Sequence, residues 1–215
     1  MLNKAFLKLI PIMISALTLM ALPVLAYAET ACRRADELGL VTIVLGSGAA
    51  RNAPEGFAKD KAVEQFTEFC CLLADRIADC RVCVALEPLC AKEANYLNLV
   101  TEGLEIVRAV NSPRIQQLAD FYHMAEGHEG PKSIVKAGNA LKHCHIATPG
   151  TRMAPGLDYE GPIPDYFQAL YRIGYRGGVS IEAAWTPVKS REERIRLYRQ
   201  ARNLMFGRWA GQCYG

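Results

Sequence analysis

Four short stretches of this chain each run from apolar, strand-prone residues into a carboxylate or an imidazole, with helix-length spacers between them. In order they are Val84-Ala85-Leu86-Glu87, Leu118-Ala119-Asp120 with His123 just beyond, His143-Cys144-His145-Ile146, and Val179-Ser180-Ile181-Glu182. Buried strands alternating with helices specify an α/β fold with a parallel sheet, and a barrel of this kind keeps its chemistry at the C-terminal ends of its strands. Two Glu, one Asp and one His converging there would form an oxygen-rich site for one divalent cation.

Element signals fill in the pattern. A helix is expected from about Thr30 to Leu38, ended by Gly39, and Val41–Leu45 reads as a buried strand that turns out through Gly46-Ser47-Gly48. Val63, Phe66, Phe69, Leu73 and Ile77 mark one face of a helix from about Lys59 to Ala78. Strand 82–87 follows, then a helix from about Asn95 to Val110 and, past Pro113, a strand 115–120 that two glutamines weaken by propensity. The remaining expectations are a helix from Pro131 to Leu141, strand 143–147, a helix from Pro162 to Ile173, strand 178–183 and a basic amphipathic helix from Arg191 to Met205. That makes five βα units. A complete eight-stranded barrel takes roughly 250 residues, so the expected fold is a partial (β/α)8 TIM barrel lacking about three N-terminal units.

The chain has 215 residues, 51% hydrophobic and 22% charged, enough for one globular core. A net charge of +3 without a dense basic block argues against nucleic acid as partner. Residues 1–28 read as a secretory signal peptide: Lys4 and Lys8, an apolar run from Leu9 to Leu25, then Ala26-Tyr27-Ala28. Export to a periplasm or medium is therefore expected, with an uncleaved membrane anchor as the alternative. The domain proper would be 29–215. Of the eight cysteines, Cys70, Cys71 and Cys144 sit inside helix or strand patterns and read as small buried hydrophobes. Cys80 and Cys83 have zinc-like spacing without a second pair.

With these residues in view, the chain resembles the sugar isomerase/epimerase family built on the xylose-isomerase-like barrel, and within it the ketose 3-epimerases of tagatose and psicose 3-epimerase type. The resemblance rests on Leu86-Glu87-Pro88-Leu89 with Glu93, on Asp120-Phe121-Tyr122-His123, on His143-Cys144-His145 with Arg152 and Pro155-Gly156, and on Ser180-Ile181-Glu182. Gly46-Ser47-Gly48 with Arg51 also resembles the family's segment before its first ligand. It implies that Glu87, Asp120, His145 and Glu182 hold a divalent metal, Mn²⁺ or Mg²⁺ with Co²⁺ as a further option. His143 is the alternative to His145. Glu93, His123 and Arg152 would hold the substrate, although Arg152 stands one residue further from His145 than the family pattern.

The implied function is sugar isomerisation or epimerisation. A proton beside a ketose carbonyl moves through an enediolate, with Glu87 and Glu182 as the acid and base on opposite faces. Aldose–ketose or hydroxypyruvate isomerisation would use the same residues. An endonuclease IV type of DNA-repair site would need more ligands than the four His of this chain allow. From a different class, the chain reads as a non-catalytic half barrel that binds carbohydrate. An open sheet edge would call for a homo-oligomer or partner chain to cover it.

Overall fold

The computed structural model describes residues 16–188 and 190–211. Its eight helices are α1 Ala16–Glu37, α2 Gly48–Arg51, α3 Lys59–Arg76, α4 Val100–Val110, α5 Phe121–Glu126, α6 Lys132–Ala137, α7 Ile163–Arg172 and α8 Arg191–Gly211. Five strands, β1 Thr42–Leu45, β2 Cys83–Leu86, β3 Ile115–Asp120, β4 Leu141–Ile146 and β5 Gly178–Ile181, form one parallel sheet in chain order. Each strand pairs with its sequence neighbour, so every crossover is a βα unit and the sheet is an open half of a barrel. Among the described residues β1 and β5 each keep one free edge.

Alternation along the strands separates core from site. Val84 and Leu86 of β2 pack outward with Leu73 of α3, Ile106 of α4 and Cys32 of α1. A second cluster joins Ala119, Cys144 and Ile146 to Ile134 of α6 and Tyr166, Phe167 and Leu170 of α7. Burying one such large side chain contributes roughly 1.5–3 kcal/mol, which is why the helices lie against this outer face. The opposite face carries Ala85, Leu118, His143 and Ser180, and the chemistry-bearing residues at its C-terminal rim. Seven described cysteines, Cys32, Cys70, Cys71, Cys80, Cys83, Cys90 and Cys144, are free thiols. Cys213 lies outside the described residues.

All five expected strands form, including 115–120, while several helices depart from expectation. Helix α1 starts well before Thr30 and runs through Ala26-Tyr27-Ala28. Leu25, Cys32 and Ala35 form its buried stripe, and Glu29 binds Arg33 and Arg76 at 3.0 and 3.1 Å. Lys4, Lys8 and the first apolar residues of the expected leader lie outside the described residues. No described helix is long and apolar enough to cross a membrane. Helix α4 begins at Val100, not Asn95. The Glu102 carboxylate accepts the Asn98 N–H at 2.6 Å, and Leu97 takes a left-handed φ of 57°. Helix α6 ends at Ala137, and a 3-10 turn, Gly138–Ala140, delivers Leu141 as the first residue of β4. The short α5 was not expected; Asp120 starts it by accepting the N–H groups of Tyr122 and His123 at 2.7 and 3.2 Å.

Candidate active site

Glu87 follows β2, Asp120 ends β3, His145 is the penultimate residue of β4, and Glu182 follows β5. Parallel register levels these positions: Asp120 stands opposite His145, and the Glu87 and Glu182 N–H groups continue the ladder to Leu45 and Ile146. Their ligand-type atoms lie within 4.8 Å of one another. His145 Nδ1 is 2.7 Å from Glu87 Oε1, 2.9 Å from Glu182 Oε2 and 3.8 Å from Asp120 Oδ2. Glu87, Asp120 and His145 are buried, whereas the Glu182 side chain at the free edge is 50% exposed.

Burial disfavours the charged imidazole of His145, but hydrogen bonds to Glu182 and Glu87 outweigh it and hold the group up to about 10. Burial, then the Glu87 charge, pushes Asp120 up to about 7. Glu182 is lowered, chiefly by its bond to His145. In this arrangement an imidazolium supplies the positive charge among three carboxylates. That charge, the oxygen-rich donor set and the convergence fit a divalent cation in its place. His143 is not among the four. Its Nε2 pairs with Ser180 Oγ at 2.9 Å, and its ring meets His145 edge-on at 5.2 Å.

Glu93, His123 and Arg152 gather beside this cluster. Arg152 Nη1 binds Glu93 Oε1 at 2.8 Å, its Nη2 lies 3.5 Å from Glu182 Oε2, and its guanidinium covers the Tyr122 ring at 4.8 Å. Arg152 lies in a turn: it takes φ 52° and its N–H donates to Thr148 O at 3.0 Å. His123 Nδ1 accepts the Cys90 N–H at 3.2 Å, so the neutral ring carries its proton on Nε2. Burial lowers His123 to about 4, which keeps it neutral. That Nε2 is buried without a hydrogen-bond partner among the described residues, 4.0 Å from both Glu93 Oε2 and Asp120 Oδ2. Cys90, Glu93 and His123 also converge as ligand types, but the lone pair of Nδ1 is already engaged.

Sequence reading gave Gly46 only a turn and a place in the resembling segment, and gave Cys90 and Tyr122 no role at the site. Gly46 lies directly under the Glu87 carboxylate, and a Cβ there would overlap Oε2. A glycine at the end of β1 was the available signal. The Cys90 N–H and the Tyr122 ring act through fold geometry and leave no residue-type signature.

A family model described as the xylose isomerase-like TIM barrel matches residues 23–205. The chain belongs to the xylose isomerase-like TIM barrel family. The match begins at Pro23, within the stretch read as a leader, and takes in every strand of the sheet. Among relatives in this barrel family, a probable ketose 3-epimerase of Synechocystis sp. is 29% identical over 181 residues, covering 81% of this chain and 61% of its own. An L-ribulose 3-epimerase of Methylomonas sp. is 33% identical over 114 residues, 52% of this chain and 38% of its own. The crystal structure of a D-allulose 3-epimerase from Methylomonas sp. in complex with D-allulose superposes with a TM-score of 0.66 at 27% identity, covering 74% of this chain and 55% of that one. The chain thus spans less than two-thirds of the length of each of these relatives.

Proposed function

We propose that this site epimerises or isomerises a small ketose by moving a proton on the carbon next to the carbonyl. The observation that carries the reading is the approach of two carboxylates from separate strands, Glu87 and Glu182, to one imidazole nitrogen at 2.7 and 2.9 Å. The three relatives described above, each named as a sugar 3-epimerase, support the same class. Glu87, Asp120, His145 and Glu182 would hold a divalent cation, Mn²⁺ or Mg²⁺ with Co²⁺ as a further option. Bound there, it would supply Lewis-acid stabilisation of the developing oxygen charge.

The chain's own groups do the rest. Glu87 and Glu182, on different strands, take and return the proton on opposite faces of the substrate carbon. Asp120 is held by two backbone N–H groups and serves to anchor. His123 directs its unpaired Nε2–H at a substrate oxygen. Arg152, braced by Glu93 and Tyr122, binds a further hydroxyl. Glu87→Gln or Glu182→Gln is expected to lower turnover of free ketoses by at least ~10²-fold, with circular dichroism unchanged; full turnover in either variant sinks the reading.

A second reading follows from the free edge of β5 and the exposure of Glu182: a half barrel that binds a sugar without turning it over. Calorimetric binding of a ketose with no product formed would favour it. We also propose that residues 1–28 direct the chain to export, supported by Lys4, Lys8 and the apolar run that follows.

A further inference from the structure

We propose that Arg51 is a positioning residue of this site, a guanidinium clamp that sets the Glu87 carboxylate against His145; the inference rests on the reading above. Arg51 closes the single-turn helix α2 and folds back beneath the ends of β1 and β2. Its Nη1 donates to the main-chain carbonyls of Gly46 at 3.0 Å and Glu87 at 2.8 Å, and its Nη2 to that of Leu97 at 3.5 Å. The bond from Glu87 N to Leu45 O, 3.1 Å, is the last rung between these strands, and the guanidinium adds one beyond it.

Three features make this more than a loop tie. The Glu87 carboxylate lies over Gly46 with no room for a Cβ, so its direction depends on where the Gly46 backbone sits relative to Glu87. Arg51 holds both carbonyls with one nitrogen. Second, β1 is an edge strand whose only partner in the described sheet is β2, so nothing on its other side keeps the two strand ends together. Third, Leu97 holds a left-handed φ of 57°, a costly state for a branched side chain, and its carbonyl also accepts the Leu89 N–H at 3.2 Å.

The charge itself is expensive where it sits. Arg51 is half-buried, its Nε has no hydrogen-bond partner, and among the described residues it forms no ion pair. It hydrogen-bonds to carbonyls, its guanidinium lies 6.0 Å from the Phe66 ring, and Tyr96 and Glu87 act on its charge from further off. A planar fork reaching three carbonyls is geometry that an ammonium cannot reproduce. Arg51 bonds only to these carbonyls beneath the site, which makes it a positioning rather than a catalytic residue.

The test reads the Glu87–His145 hydrogen bond in metal-free full-length protein with ¹⁵N-labelled histidine. Wild type is expected to show a downfield, slowly exchanging His145 Nδ1 proton. In Arg51→Ala that signal is expected to shift upfield or vanish, Mn²⁺ affinity to fall at least ~10-fold as for a lost supporting contact, and added methylguanidinium to restore both. Arg51→Lys, the variant to use if Arg51→Ala does not fold, is expected to shift the same resonance without rescue. A folded variant with an unmoved His145 resonance overturns the inference. If wild type neither binds Mn²⁺ nor turns over a ketose, the functional reading fails, while the clamp still stands or falls on the metal-free resonance.

Discussion

At the scale of single residues, the site is a matter of small exclusions. Gly46 leaves space that the Glu87 carboxylate takes up, so Gly46→Ala is expected to turn that carboxylate away from His145. Mn²⁺ affinity measured by calorimetry would then fall by about 10-fold or more, with an unchanged far-ultraviolet spectrum; unaltered affinity would show that Glu87 has another seat. The four ligand-type residues were legible in the sequence because each ends an apolar run, and parallel register then levels strand ends automatically. His145 rather than His143 reaches the cluster because it lies two residues further along β4, level with Asp120. What the sequence did not disclose is second in line: which ring nitrogen of His123 is engaged, and what supports Glu87. Both depend on backbone N–H and C=O groups, which every residue has and no residue type announces.

Between residue and molecule, the helices differ in how they are started. Helix α4 is capped from a distance: Glu129 accepts the Val100 N–H at 2.8 Å and the Thr101 N–H at 3.3 Å. Glu129→Ala is expected to cost about 1–2 kcal/mol, the range for a lost N-cap, read as a lower urea midpoint. A variant within 0.5 kcal/mol of wild type, about the scatter of surface substitutions, would deny the cap its role. Glu29 ties α1 to α3 through Arg76, and hydrogen bonds from Arg33 and then Arg76 hold its carboxyl below the ordinary 4.5. Because the folded value is the lower one, that contribution is complete above pH 4.5 and fades as pH falls further. Glu29→Gln should therefore narrow its stability gap to wild type in melts taken at progressively lower pH. Strands were easier to foresee than helix ends. Apolar runs and flanking turns define a strand locally, whereas α4 starts where a side chain from beyond β3 meets it, and α5 exists because Asp120 serves two structures at once.

For the whole molecule, two features set its behaviour. The first is that α1 carries Leu25 into the core ahead of the expected cleavage point. A chain beginning at Glu29 loses that side chain, and its melting temperature is expected to fall on the order of 10 °C relative to the full chain. Equal melting would mean that the body of the fold begins after Ala28. The second is the pair of sheet edges left free among the described residues. A cavity of about 740 Å³, lined in part by Phe167, Trp185, Tyr198 and Phe206, opens beside β5, and none of the four ligand-type residues lines it. An apolar edge of this kind predicts self-association: sedimentation is expected to give a mass that rises with concentration, and a constant monomer mass would contradict it.

The unequal shelter of the two carboxylates has a consequence in isotopes. Glu87 is enclosed, while Glu182 stands half in solvent at the free edge. A hydrogen parked on Glu182 would trade with bulk water sooner than one parked on Glu87. With acid and base on opposite faces, the abstracted hydrogen can return only to the sugar it left, so the difference would appear in unconverted sugar: in deuterated water, sugar deprotonated by Glu182 would take up label on return, and sugar deprotonated by Glu87 would keep more of its original hydrogen. The open side of the half barrel would be written into the recovered substrate as a difference in mass.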